Sequence, residues 1–262
     1  MDATEIFKYN SLEDFLISKP LTVDGLCDDG WGAKIILKGR EIEATILFAD
    51  ISEFSKRTSD LSPSETLHFV NHFMTWITAE AIRGKSCIID KYIGDEVMLI
   101  FSKEFGSEDP FVEAVRTARW IGERDSLSFC PHMGIASGKV IIGYVGTPIK
   151  YNCSVFGLPV TVASRCANVQ STKRYSSRIV FPSNLWGQRV FNEIFNPVIY
   201  GDERKSVKVP STWQMLDKRK ENLKNLGEIE ITEIVNGIVN IPSPSAEDWA
   251  REACKELQDK NK

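Results

Sequence analysis

Apolar and polar positions fall into a legible pattern from residue 41 onward. Ala44-Thr45-Ile46-Leu47-Phe48-Ala49-Asp50-Ile51 is a short apolar run of the kind that forms a buried strand, with Asp50 near its end. Ser62-Pro63-Ser64-Glu65 combines a Ser N-cap, a proline at the first helical position and a glutamate at the third. Leu67, Val70, Phe73, Met74, Ile77 and Ala81 follow at helical spacing, which predicts a helix. Two apolar runs, 86–92 and 96–101, flank Gly94-Asp95 and predict a β-hairpin with Asp95 at its tip. A second capped helix is predicted from Asp109-Pro110, carrying Phe111, Ala114, Val115, Ala118 and Ile121, and strands are predicted at 127–135 and 139–145.

The order strand, helix, strand, strand, helix, strand predicts an α+β fold with a ferredoxin-like βαββαβ core, an antiparallel sheet with its helices on the outside. Beyond it, a helix is expected at 160–169, a strand at 178–181, a helix at 183–191 and strands at 208–216 and 228–235. Residues 1–40 have weak periodicity and two clusters of turn formers, Asp24-Gly25 and Asp28-Asp29-Gly30, and read as an N-terminal appendage. Residues 41–240 then form one domain and 241–262 a C-terminal tail.

Composition narrows the function. The 262 residues carry 32 Lys plus Arg against 36 Asp plus Glu, a net charge of −4, with 42% hydrophobic residues. That describes a globular chain with material for a sizeable core and excludes disorder and collagen. The acidic balance lacks the footprint of a protein that wraps nucleic acid or lies on an anionic membrane, so neither is expected as a partner. There is no apolar run of membrane-spanning length and no basic start followed by an apolar stretch, so a cytoplasmic location is expected. The six cysteines form no CxxC pair and are read as reduced, with Cys87 and Cys130 inside apolar strands. His68 and His72 stand at metal-ligand spacing but lack a third ligand, so a helix-surface pair is the better reading.

A buried strand gains nothing from ending in an aspartate unless its charge is matched. If Asp50 and Asp95 converge, they make a hard-oxygen site suited to Mg²⁺ or Mn²⁺ rather than to zinc. Two carboxylates sharing two metal ions are a recurrent device for phosphoryl transfer. Spacing alone leaves open that Asp95 is a turn residue and Asp50 a cap.

Four segments break that tie. Phe48-Ala49-Asp50-Ile51-Ser52-Glu53-Phe54-Ser55, Lys91-Tyr92-Ile93-Gly94-Asp95-Glu96, Gly134-Ile135-Ala136-Ser137-Gly138-Lys139-Val140 and Phe156-Gly157-Leu158-Pro159-Val160-Thr161-Val162-Ala163-Ser164-Arg165 resemble the successive motifs of class III nucleotide cyclases, in the family's order. The resemblance covers residues 41 to 235. It implies a head-to-tail homodimer with composite active sites, each converting a nucleoside triphosphate to a 3′,5′-cyclic monophosphate and pyrophosphate with two Mg²⁺ or Mn²⁺ ions. It also implies that Asp50, Asp95 and the Ile51 carbonyl hold the metals and that Arg165 stabilises charge on the triphosphate.

The sequence departs from the adenine-selective pattern at several places. Lys91 stands where such members keep a base-contacting lysine, whereas Ser154 replaces an aspartate that accepts from the adenine amino group. Thr161 replaces an asparagine that orients the ribose, and Leu226 a triphosphate-binding lysine for which Lys224 is the nearby substitute. Lysine donates and serine accepts, which suits the O4 carbonyl and N3–H of uracil. Phe54, near Asp50, is a candidate to stack on the base, with plain core packing as its alternative. Altered in this way, the chain resembles the bacterial pyrimidine cyclases of Pycsar antiphage systems, which implies a cyclic UMP or cyclic CMP product acting on a separate effector. A divergent adenylate cyclase and a catalytically silent nucleotide-binding module are the alternatives.

Overall fold

The computed structural model describes residues 8–260 apart from 29, 33, 84–85, 126, 148–149, 171–176, 186–187, 196–198, 201–206, 209–211 and 238–243. The apolar 44–51 run is the far end of a long strand, β2 (Lys34–Asp50), preceded by helix α1 (Leu12–Ser18) and strand β1 (Val23–Asp28). A short helix α2 (Phe54–Arg57) leads to α3 (Pro63–Ile82), whose Ser62 and Glu65 form the reciprocal capping box that the sequence predicts. The hairpin β3 (Cys87–Ile93) and β4 (Glu96–Phe101), helix α4 (Pro110–Glu123) and strand β5 (His132–Thr147) complete the core. The strand order β5-β2-β4-β3, antiparallel throughout, with both α3 and α4 packed on one face, is the ferredoxin-like arrangement.

After the core come β6 (Lys150–Phe156), α5 (Leu158–Ala167), β7 (Ser177–Pro182), α6 (Gln188–Phe195), the short strands β8 (Ile199–Tyr200), β9 (Val207–Lys208) and β10 (Trp213–Met215), the hairpin β11 (Arg219–Leu223) and β12 (Gly227–Asn236), and α7 (Ala246–Lys260). β7 pairs with β5 in parallel and extends the sheet to β12 and β10.

Two expectations are corrected. The strands predicted at 127–135 and 139–145 are one, because Ala136-Ser137-Gly138 pairs along its length with Ala44-Thr45-Ile46 of β2 instead of turning. Cys130 is not inside a strand but precedes β5 with a positive φ of 53°. The strand predicted at 208–216 is described only as β9 and β10, since 209–211 lie outside the described residues.

The sheet buries a core on each face. One, centred on Phe69, Phe73, Phe101, Phe129 and Phe181, is covered by α3, α4, α6 and α7. The terminal helix α7 is built into it: Ala246 and Ala250 are buried, and Glu247 forms an ion pair with Arg57. The other core contains Ile46, Phe48, Ile100, Ala136 and Cys166, under α5 and α1. Leu12, Phe15 and Leu16 of α1 are all buried there, and Phe15 meets Phe105 edge-on at 5.0 Å. No helix of the described residues is long and apolar enough to cross a membrane.

Helix α5 lies against β5 with no clearance. A Cβ placed on Gly134 would stand 2.0 Å from the Ala163 carbonyl oxygen and 2.2 Å from the Ala167 nitrogen, both backbone atoms that cannot swing aside. Gly134→Ala should therefore cost about 3 kcal/mol, read as a lowered urea midpoint. An unchanged midpoint would mean that the helix is free to lift.

Candidate functional site

The two aspartates meet. Asp50 ends β2, Asp95 sits on the β3–β4 turn after Gly94 with φ 63°, and antiparallel pairing sets Asp50 opposite Glu96. The two carboxyl groups come within hydrogen-bonding reach of each other. Burial first, then the Asp95 carboxyl and the Glu96 charge, raise Asp50 to about 8, against a smaller lowering by the Ile51 amide. Asp50 Oδ1 is buried with no hydrogen-bond partner. A desolvated carboxylate with an unused oxygen beside a second carboxyl is what a cation would relieve, and the donors, two carboxylates followed by the Ile51 backbone, are all oxygen. No cluster of three or more His, Cys, Asp or Glu side chains suited to a metal occurs among the described residues, so such an ion would keep several waters, as Mg²⁺ does. His68 and His72 are no exception: their rings meet edge-on at 6.0 Å, and His72 lies against Phe129.

Arg165, in the last turn of α5, is half-buried with its Nε unpartnered, and its charge acts on Glu96. Asn168, just beyond the helix, donates to Glu96 Oε1 at 3.4 Å. Thr161 is one turn before Arg165 on the same helix and is exposed.

A second constellation joins Lys91 and Ser154. Lys91 Nζ, on β3, donates to Ser154 Oγ on β6, and Ser154 is only 6% exposed. Asp90 and Glu96, which the sequence reading left out, adjoin these sites; their signal was a charge beside each motif residue in an otherwise apolar hairpin.

The remaining candidates stay apart. Phe54 packs half-buried against the first core, 6.4 Å from Phe69, which is the packing role weighed against base stacking. Lys224 is exposed on the β11–β12 turn, beside Asn225 with φ 67°, while Leu226 folds back against the second core.

Beneath Asp50 the sheet carries buried charge. His132 pairs with Asp50 across β5 and β2 and with Arg178 across β5 and β7, and its Nδ1 is 3.0 Å from Arg178 Nη2. Burial, and next the Arg178 charge, hold His132 down at about 3. An unfolded histidine titrates near 6.5, so below that pH the unfolded chain takes up a proton that the native site refuses. The His132 contribution to stability should therefore fall from about pH 6.5 down to about 3, by roughly 2 kcal/mol between pH 7 and 5. Asp50 contributes with the opposite sign, so the test is the urea midpoint of the parent against that of His132→Gln at each pH, the parent's advantage shrinking by that amount from pH 7 to 5.

Comparison with known proteins supplies the family. Residues 38–176 match the family described as the adenylate and guanylate cyclase catalytic domain. The terminal-differentiation-specific adenylate cyclase of Dictyostelium discoideum is 32% identical over 145 residues, 52% of this chain and 7% of that protein. An adenylate cyclase of Anabaena cylindrica is 28% identical over 153 residues, 54% of this chain and 30% of its own length. The chain thus spans less than a third of either relative. The adenylyl cyclase CyaB from P. aeruginosa superposes with a TM-score of 0.56 over 78% of this chain and 99% of that one, at 16% identity, a likeness of fold. With the family matched over more than half of this chain, the chain belongs to the adenylate and guanylate cyclase catalytic domain family, the class III nucleotide cyclases.

Proposed function

We propose that the chain is a nucleoside triphosphate cyclase that takes UTP in preference to other nucleotides and releases cyclic UMP and pyrophosphate. The observation that carries the choice of base is the part-buried Lys91–Ser154 contact. The ammonium has further protons to donate to the uracil O4, and Ser154 Oγ keeps a lone pair to accept from N3–H. A site built to hydrogen-bond one edge pattern rejects others strongly, because its polar groups are left unpaired.

In the reaction the ribose 3′ oxygen forms a bond to the α-phosphorus, the bond from that phosphorus to the β-phosphate oxygen breaks, and the 3′ hydroxyl proton is lost. Asp50 and Asp95, with the Ile51 carbonyl, would hold divalent ions, two per site. Bound Mg²⁺ or Mn²⁺ supplies Lewis-acid activation of the attacking oxygen and neutralises the leaving pyrophosphate. Arg165 would balance charge on the triphosphate, Thr161 orient the ribose and Lys224 supply a cation from its turn. As the family resemblance implies, the sites would be completed across the interface of a head-to-tail homodimer. The product would act as a messenger on a separate effector in antiphage defence.

Purified protein with Mn²⁺ and each of the four nucleotides tests this reading, with cyclic UMP expected as the main product. The retained Lys91 and the adenylate cyclase names of both relatives favour a second reading, ATP to cyclic AMP. Cyclic AMP as the main product would establish it and overturn the pyrimidine reading.

A further inference from the structure

Asp90 precedes Lys91 in a strand whose register shifts between Ile89 and Lys91. In a regular strand, neighbouring side chains point to opposite faces and cannot serve the same partner. The bulge removes that alternation locally and re-aims the side chain. Here it brings Asp90 Oδ2 to 3.2 Å from Lys91 Nζ, with the Asp90 side chain 4% exposed and that of Lys91 35%. Asp90 Oδ2 itself is buried and makes no hydrogen bond, so Lys91 is the cation that balances it. A carboxylate this buried is costly to the fold, and burial raises its pKa.

A second carboxylate approaches from a distant part of the chain. Glu13, in the first turn of α1, accepts from the Cys153 backbone N–H at 3.2 Å, one residue before Ser154, and its charge acts on Asp90. Helix α1 therefore backs the strand that carries Ser154 while its own apolar side is locked into the core through Leu12, Phe15 and Leu16.

We propose that Asp90 is a positioning residue for base selection, aiming the Lys91 ammonium at the nucleobase, and that Glu13 makes the N-terminal helix α1 part of the same specificity device. This rests on the reading of Lys91 and Ser154 as the base site. A free lysine head rotates among many rotamers, and ordering it on binding costs affinity. With one side of the ammonium tied to Ser154 and another drawn to Asp90, the direction left for the base is set before the nucleotide arrives. Asp90 is too buried to read the base itself, so its effect passes through Lys91.

The test compares Asp90→Asn, Asp90→Ser, Glu13→Gln and Lys91→Ala by kcat/KM for all four nucleotides with Mn²⁺, alongside melting temperatures. Asp90→Asn should lower kcat/KM for the preferred nucleotide about tenfold, mainly through KM, and shrink its lead over the next nucleotide by a similar factor. Asp90→Ser should do the same if the isosteric amide perturbs folding, and Glu13→Gln should produce a smaller shift in the same sense. Adding Lys91→Ala to Asp90→Asn should change preference no further than Lys91→Ala alone. Equal losses for all four nucleotides with a lowered melting temperature would overturn the proposal, since a structural role spares preference. A preference altered by Lys91→Ala but untouched by either Asp90 variant would overturn it while leaving the base site standing. A preference untouched by Lys91→Ala would overturn both.

Discussion

Replacing Asp50 with alanine should abolish nucleotide cyclisation and, in the metal-free protein, raise stability. Loss of turnover of at least about a thousandfold follows if Asp50 is one of only two side chains holding the catalytic ions. The gain in stability has a different source. Asp50 Oδ1 is buried without a partner, and Asp95 and Glu96 crowd its charge. Its folded pKa of about 8 lies above the unfolded 3.8, so the native carboxyl keeps a proton that the unfolded chain releases. The destabilisation is absent below about pH 4, grows as pH rises, and is complete only above about 8. The advantage of Asp50→Ala should thus widen between pH 5 and 8, reaching roughly 2–4 kcal/mol. Product analysis with Mn²⁺ and melting curves in chelator at both pH values check the two halves. Activity within tenfold of the parent, or a melting temperature lower at pH 8, would refute the assignment.

Glu233→Leu should be the most damaging single change outside the site, at about 3–5 kcal/mol. Glu233 is 1% exposed and Arg178 3% exposed. Glu233 Oε2 accepts from Arg219 Nη1, and Oε1 stands 3.9 Å from Arg178 Nη1. Without it Arg219 still reaches Glu221, at 3.3 Å, whereas Arg178 keeps the contact of its Nη2 with the neutral His132 and the weaker influence of Asp50. A buried guanidinium that has lost its main counter-charge accounts for the cost. Adding Arg178→Met should recover most of the loss, because an apolar pair of similar size replaces a buried ion pair with little penalty. Denaturant midpoints of the two single variants and the double variant measure this; a double variant as unstable as Glu233→Leu alone would contradict it.

The legible features were those written locally. Asp50 at a strand end and Asp95 on a Gly-Asp turn could be placed because a short apolar run and a two-residue turn each determine their own geometry, and pairing of β2 with β4 then brings them together. The capping box of α3 was legible for the same reason. The continuity of β5 was not, since a Ser-Gly step that resembles a turn is held straight by pairing with a strand ninety residues away. Nor was the bulge at Asp90, which exists only relative to the register of β4. The row Asp50, His132, Arg178 and Glu233 assembles from four strands spread over the chain, so no window of sequence contains it. Helix α1 has three buried residues in seven and too short a period to announce what it packs against.

The contact between Gly134 and α5 bears on how such an enzyme could open and close. At Gly134 the backbone of the helix carrying Thr161 and Arg165 rests directly on the strand beside β2, while its Val162 and Cys166 side chains are packed into the second core. Helix and sheet must then travel as one rigid plate, and Arg165 cannot be advanced or withdrawn by sliding the helix within its own subunit. If the chain works as the proposed dimer, with ions at Asp50 and Asp95 holding the triphosphate, a stroke of Arg165 would come from rotation of whole subunits, and control of the enzyme would reside in its dimer geometry rather than in a mobile loop.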